Sequence, residues 1–215
     1  MSFIFNEIKM TVKKIVFYFL VVLPLFATAQ PPAPHTKILE GSVNNFKLLK
    51  DQTSYNLVFN YDNMMIGKGE READYLEKKK NDHDAKEPGS GKGAAFEKMW
   101  FDARKKMYEP SFVRSFEKFA EVKTGDPGAR YTLILKTTRT EGGWNGGVMA
   151  KPAEIDLQLW VVETGDNSKV LVKVGFSNAK GMESRGGDFE MTERIQNAYL
   201  YASKAVGDFF RRKTK

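Results

Sequence analysis

The sequence contains no cysteine and only two histidines, His35 and His83. The first absence excludes disulfides, thiolate catalysis and the N-terminal cysteine through which a lipoprotein is anchored. The second rules out a histidine-rich zinc centre. A serine triad would have to draw on the same two loop histidines, and no Gly-x-Ser-x-Gly elbow is present. Beyond the first thirty residues no apolar run approaches the roughly twenty residues of a membrane-spanning helix.

The opening segment is the exception. Residues 1–29 run from a polar, basic start into the uncharged stretch Ile15 to Phe26 and end on the small residues Ala27-Thr28-Ala29. That order reads as a cleavable export signal, cut before Gln30, whose apolar span is short for a bilayer. Met10 is followed by its own basic start, Lys13-Lys14, so initiation at Met1 or at Met10 stays open. The product would be periplasmic or secreted, without an integral membrane segment.

The net charge is +7, but the cations are interleaved with acids, and the dense runs Lys78-Lys79-Lys80 and Arg211-Arg212-Lys213 fall at expected helix ends. There they complement the negative end of the helix dipole. A nucleic-acid or anionic-membrane footprint would cluster on one face, so nucleic acid is not an expected partner.

After an extended lead-in over 30–45, a single domain over 46–215 is expected. Phe46 to Leu49 fits a short edge strand or one turn. Tyr55, Leu57, Phe59 and Tyr61 alternate with polar residues and predict a strand. Glu70 to Lys79 reads as a polar helix, followed by a flexible loop over 81–93 that holds Pro88 and three glycines. Phe96, Met99, Trp100, Ala103 and Met107 recur at helical spacing, and Pro110 divides that stripe from a second one through Phe112, Phe116 and Phe119. Three alternating runs follow, 131–136, 155–161 and 170–176, the last two joined by Gly165-Asp166-Asn167-Ser168 as an antiparallel hairpin. Ile195, Ala198, Tyr199, Ala202, Val206 and Phe209 then form a C-terminal helix with Thr192 as its N-cap. The fold class expected is α+β: a mixed or antiparallel sheet of about four strands with helices packed on it.

Few residues carry chemistry. Pro88-Gly89-Ser90-Gly91-Lys92-Gly93 fails as a phosphate loop, because Lys86 and Gly93 stand where a glycine and a hydroxyl are needed. Asn81-Asp82-His83-Asp84 gathers metal-type ligands, but Glu87 occupies the position where a calcium loop requires glycine. No metal or cofactor is therefore expected. Glu141, Glu154 and Asp156 are the strand-associated carboxylates that a hydrolase or carbohydrate-active enzyme would use. The most distinctive segment is Gly142-Gly143-Trp144-Asn145-Gly146-Gly147, which reads either as a wide hairpin with Trp144 folded back over apolar surface or as a binding loop. In the second case Arg139, Glu141, Trp144 and Asn145 form the binding site, and Gly181, Gly186 and Gly187 form a second flexible stretch beside it.

The stretches "LVFNYDNMMIGK", "KEPGSGKGAAFEKMWFDARKKMYEPSF", "YTLILKTTRTEGGWNGGVMAKPAEIDLQLWVVET" and "ERIQNAYLYASKAVGDF" together resemble an uncharacterised family of exported proteins from Bacteroidetes-type bacteria. The order of elements is more distantly similar to the small α/β sandwiches of periplasmic assembly factors, such as the curli-secretion and TolB amino-terminal domains. The resemblance implies a compartment and a fold, not a reaction. Taken together, the expectation is a non-enzymatic exported domain binding an envelope protein or ligand. The alternatives are the carboxylate enzyme and a structural or dimerising module with an apolar strand face around Trp160 and Val162.

Overall fold

The computed structural model describes residues 31–146, 149–182, 187 and 189–215. The expected export signal lies outside the described residues, as do Gly147 and Gly186 of the two glycine-rich stretches. Residues Pro31–Lys215 form one compact unit.

The alternating runs become the spine of one sheet. Strand β6 (Tyr131–Glu141) buries Leu133, Leu135 and Thr137, β9 (Glu154–Glu163) buries Ile155, Leu157, Leu159 and Val161, and β10 (Asp166–Lys180) buries Val172, Val174 and Phe176. With side chains alternating across each strand, these sets share the face on which the helices lie. Strands β6, β9 and β10 are antiparallel neighbours. Strand β2 (Ser54–Asn60) lies parallel to β6, with Asn56 opposite Thr132 and Asn60 opposite Lys136. Parallel neighbours need a crossover connection, and the helical block between residues 72 and 120 supplies it.

Around this spine lie strands that sequence reasoning misses. Strand β1 (His35–Gly41) pairs with β10 at one edge, so the expected lead-in is part of the sheet. Strand β3 (Met65–Ile66) resumes the line of β2 opposite Arg139 and Thr140, β4 (Glu70–Arg71) pairs with β3, and β5 (Lys123–Thr124) extends the sheet beside β2. The sheet is mixed, has eight strands in place of the four expected, and runs in the order β1-β10-β9-β6-β2-β5 with β3 and β4 alongside. The physical reason is length and exposure. β3, β4 and β5 have two residues each, too few to show alternation, and β1 is exposed except at Ile38.

Among the described residues four α-helices complete the domain: α1 (Glu72–Lys86), α2 (Lys92–Ala103), α3 (Glu109–Ala120) and α4 (Met191–Thr214). Helices α2 and α3 are joined through a π-helical turn, Arg104–Tyr108, immediately before Pro110. The ring that lacks a backbone donor thus falls in the first turn of α3, where none is required. The expected loop over 81–93 is largely helical. The imidazole of His83 lies against the rings of Phe96 and Phe189 at 5.1 and 5.4 Å, and the Asp84 carboxylate accepts from the Gly93 amide at 3.1 Å. These contacts carry α1 through to Lys86 although its composition is polar. Thr192 is not the cap of α4: it lies within the first turn and donates to the Phe189 carbonyl at 3.4 Å.

The core is aromatic where α3 and α4 meet the sheet. Phe210 packs edge-on against Phe46 and Tyr55 at 5.9 and 5.3 Å. Gly207 lets α3 approach so closely that a Cβ there would lie 2.9 Å from that of Phe119. Phe46 comes from a 3-10 turn, Val43–Leu49, which also buries Leu49. The buried core is drawn from residues 46 to 210, within the compact unit Pro31–Lys215. No helix among the described residues is long and apolar enough to cross a membrane.

Candidate functional site

Strand β6 ends at Glu141, and the chain then makes a turn that only glycine permits. Gly143 has φ +64°, and a Cβ on it would lie 2.4 Å from the Lys151 carbonyl oxygen and 2.7 Å from the Ala153 nitrogen. A Cβ on Gly142 would meet the Met191 sulfur at 2.2 Å. Past the turn, β7 (Trp144–Asn145) pairs with β8 (Ala150–Lys151) as a small separate hairpin, and the Gly146 amide donates to the Met149 carbonyl at 2.8 Å. Trp144 remains 47% exposed, its ring lying against Gly146.

The turn is held from beneath by Arg194, one turn into α4 and only 2% exposed. Its guanidinium donates to the carbonyls of Gly142 at 3.0 Å and Gly187 at 3.2 Å, with a longer approach to Gly143 at 3.5 Å. An arginine on the apolar stripe of a helix, at helical spacing from Met191 and Ala198, is the signal that could have exposed this role from sequence.

Between the hairpin and the start of α1 lies a cleft of about 480 Å³. Gly67, Lys68 and Glu70 come from the β3–β4 connection, Tyr75 and Lys79 from α1, Glu141 from the end of β6, Gly142 and Gly143 from the turn after it, and Trp144 from β7. Gly67 has φ +58° and donates to the Thr140 carbonyl at 2.9 Å, which fixes that turn against β6. The Tyr75 hydroxyl donates to the Met191 sulfur at 3.5 Å, and its ring lies 5.6 Å from that of Trp100. Glu141 pairs with Lys151 at 3.3 Å. The cleft therefore combines a half-exposed indole, a phenol ring, a glycine floor and a rim of two acids and two lysines. Among the described residues its lining includes no histidine, serine or threonine; its polar groups offer hydrogen bonds and charge, and its rings offer a stacking surface.

Of the residues expected from sequence, Glu141 and Trp144 line this cleft together. Asn145 stands in β7 beside Trp144, and Arg139 is elsewhere. Its Nε donates to Asp156 at 2.7 Å, and its terminal nitrogen reaches both Asp156 and Glu154. Asp156 also accepts from the Asn178 amide at 2.7 Å. The group stitches β6, β9 and β10 at the point where their register shifts. Hydrogen bonding to Asp156 raises the Arg139 pKa above its already high value despite burial, so the guanidinium stays charged and is paired with both Glu154 and Asp156. Among the described residues no cluster of acids and histidines suited to a metal ion occurs.

A second polar group lies inside, beside the π-helical turn. Thr137 and Tyr199 hydroxyls are 2.5 Å apart, Tyr108 stacks on Tyr199 at 5.0 Å, and Arg104 lies 4.4 Å over the Tyr61 ring. Glu72 accepts from the Trp100 indole at 2.6 Å and pairs with Arg104. Burial raises the phenol pKa of Tyr108 and Tyr199 above the usual value, so both stay neutral; Tyr199 joins α4 to β6 through Thr137, whereas Tyr108 contributes its ring stack, its buried hydroxyl having no hydrogen-bond partner among the described residues. On the opposite face of the sheet, Val162 is buried and Trp160 is covered by Lys173 at 4.3 Å. The apolar face that a dimerising module would present there is reduced accordingly.

No family model matches the chain, and no curated protein matches it. Among solved structures, a PelC dodecamer from Paraburkholderia phytofirmans is similar at 11% identity, covering 79% of this chain and 95% of that one with a TM-score of 0.32. A point variant of the same protein in another crystal form gives 10% identity over 79% and 96% of the two chains, again at 0.32. Likeness at this level carries no argument about fold or role.

Proposed function

We propose that the chain is an exported, non-enzymatic domain, periplasmic or secreted, that binds a cell-envelope partner or ligand in the cleft beside Trp144. The observation that carries this reading is a half-exposed tryptophan, following a turn held by a buried arginine, at the wall of a cleft with Tyr75, two acids and two lysines. A large aromatic left partly in water and fixed in place is suited to stacking on a flat apolar face, and the rim suits polar groups around that face. Among the described residues the rim carries two acids and two lysines, which suits a ligand of little net charge. The test is affinity purification from the envelope fraction on immobilised residues 31–215, with Trp144→Ala as control. Loss of the retained partner in the variant, with its circular dichroism unchanged, supports the site; identical retention refutes it.

A carboxylate enzyme is the second reading, and the presence of both Glu70 and Glu141 on the cleft wall is what favours it. Turnover of a glycan or ester by the wild type, abolished in Glu141→Gln while binding persists, would establish it in place of the binder.

A further inference from the structure

The positive charge that looks dispersed in sequence gathers at the far end of α4. Asn45 of the 3-10 turn donates to the Leu171 carbonyl at 2.6 Å, and Phe46 packs edge-on against Phe209 and Phe210 at 5.7 and 5.9 Å. These contacts seat Lys47 and Lys50 beside Arg212, Lys213 and Lys215 around a cleft of about 460 Å³ whose lining, among the described residues, includes no acid. Lys215 pairs with Glu121, whereas Lys47, Lys50, Arg212 and Lys213 make no ion pair among the described residues. A helix dipole accounts for cations in the last turn of α4. It does not account for Lys47 and Lys50, which come from a segment some 160 residues earlier.

The same turn exposes apolar side chains beside the charge: Val43, on the cleft wall, is 37% exposed and Leu48 is 56% exposed. A soluble polyanion would gain nothing from these, whereas a bilayer surface takes up both, phosphates against the cations and small apolar groups at the acyl boundary. We propose that this end of the domain docks on an anionic phospholipid surface, with a headgroup phosphate entering the Lys47–Lys213 cleft. This proposal does not rest on the function assigned to the Trp144 cleft.

The test uses residues 31–215, which lack the apolar segment at 15–26, in sedimentation with phosphatidylcholine vesicles and with equimolar phosphatidylglycerol and phosphatidylcholine. Binding is expected to the anionic vesicles alone, and to weaken as salt shortens the Debye length from ~10 Å at 0.1 M to ~3 Å at 1 M. Each cation near such a surface strengthens binding about fivefold, so Lys47→Gln with Lys213→Gln should weaken it roughly 25-fold. Lys78→Gln with Lys86→Gln, the same charge change on α1, should leave it within about twofold. Leu48→Ser, which removes the apolar group without adding charge, should weaken vesicle binding without altering any weak binding of inorganic phosphate. The proposal is overturned if both double variants lose binding equally, if neutral vesicles bind as well, or if a single-stranded oligonucleotide binds more tightly than the vesicles and depends on the same lysines. Saturable binding of inorganic phosphate without vesicle binding would also overturn it, leaving a free-anion site.

Discussion

Replacing Arg194 by methionine keeps most of the aliphatic volume and removes the guanidinium that fixes the Gly142–Gly143 turn. The side chain is 2% exposed and donates to Gly142 at 3.0 Å and Gly187 at 3.2 Å. A hydrogen bond from a charged donor contributes ~1.5–3 kcal/mol, so two of them set a gross loss of about 3–6 kcal/mol. Against this, methionine relieves the desolvation of a buried cation, a penalty of several kcal/mol. The difference leaves a net destabilisation of about 2 kcal/mol, felt first where the carbonyls lose their donors. Urea denaturation should show that shift with an unchanged slope. Amide exchange at Trp144 and Asn145 should accelerate roughly 30-fold, the factor equivalent to 2 kcal/mol of local opening. Arg194→Lys should fall between the two, because a point charge cannot span three carbonyls as a planar fork does. A change below about 0.5 kcal/mol with exchange unaltered over 142–146 would refute the clamp.

Gly143→Ala should cost about 2–4 kcal/mol, combining the left-handed backbone penalty with overlap against the Lys151 carbonyl and Ala153 nitrogen. Gly143→Asn, which tolerates the dihedral but not the overlap, should be no better, and thermal melting compares the two. In Gly207→Ala the gain in helix propensity, roughly 0.5–1 kcal/mol, is set against overpacking of ~1–3 kcal/mol where the Cβ would meet Phe119 and Ala120. The variant should melt lower, and a higher melting temperature would show that α3 and α4 separate freely. Glu117 is partly buried, which raises its pKa, but the Thr124 amide at 2.7 Å and hydroxyl at 3.0 Å, with Lys123, outweigh that and lower it below 4.5. A depressed folded pKa means its stabilisation is present above the unfolded value and is lost as pH falls through the folded one. Glu117→Gln should therefore flatten the acid limb of the stability curve below about pH 4.5, and an unchanged limb would remove Glu117 as a contributor.

What could be read from sequence follows what sequence encodes locally. The β6, β9 and β10 runs were legible because each buries one face over many residues, and α4 because Ile195, Ala198, Ala202 and Val206 keep helical spacing against the sheet. β1 was not, because an exposed edge strand is held by backbone pairing to β10, which leaves little trace in side-chain pattern. The continuation of α1 through Asp82 and His83 was hidden for a related reason: its stabilising contacts, Phe96 and Gly93, lie in the next helix. At the site, the glycines around Trp144 announced a special turn. Arg194, which holds that turn, and Tyr75 and Gly67, which line the cleft beside it, reach it only through the fold. Arg139 looked like a neighbour in the chain and proved to be committed to Asp156 across the sheet.

The two clefts sit at opposite ends of one helix, and this has a testable consequence. Arg194 holds the Trp144 turn from the first turns of α4, while Lys213 lines the basic cleft in its last turn. At 1.5 Å per residue the nineteen steps between them span about 28 Å. That separation is nearly three Debye lengths at ~0.1 M salt, so charge removed at one end is screened from the other. The Lys47→Gln and Lys213→Gln pair should accordingly leave capture by the Trp144 cleft unchanged, and Trp144→Ala should leave vesicle binding unchanged. If either substitution moved the other readout by more than about twofold, the helix would have to be transmitting a displacement between its ends, and the clefts would have to be treated as one coupled device.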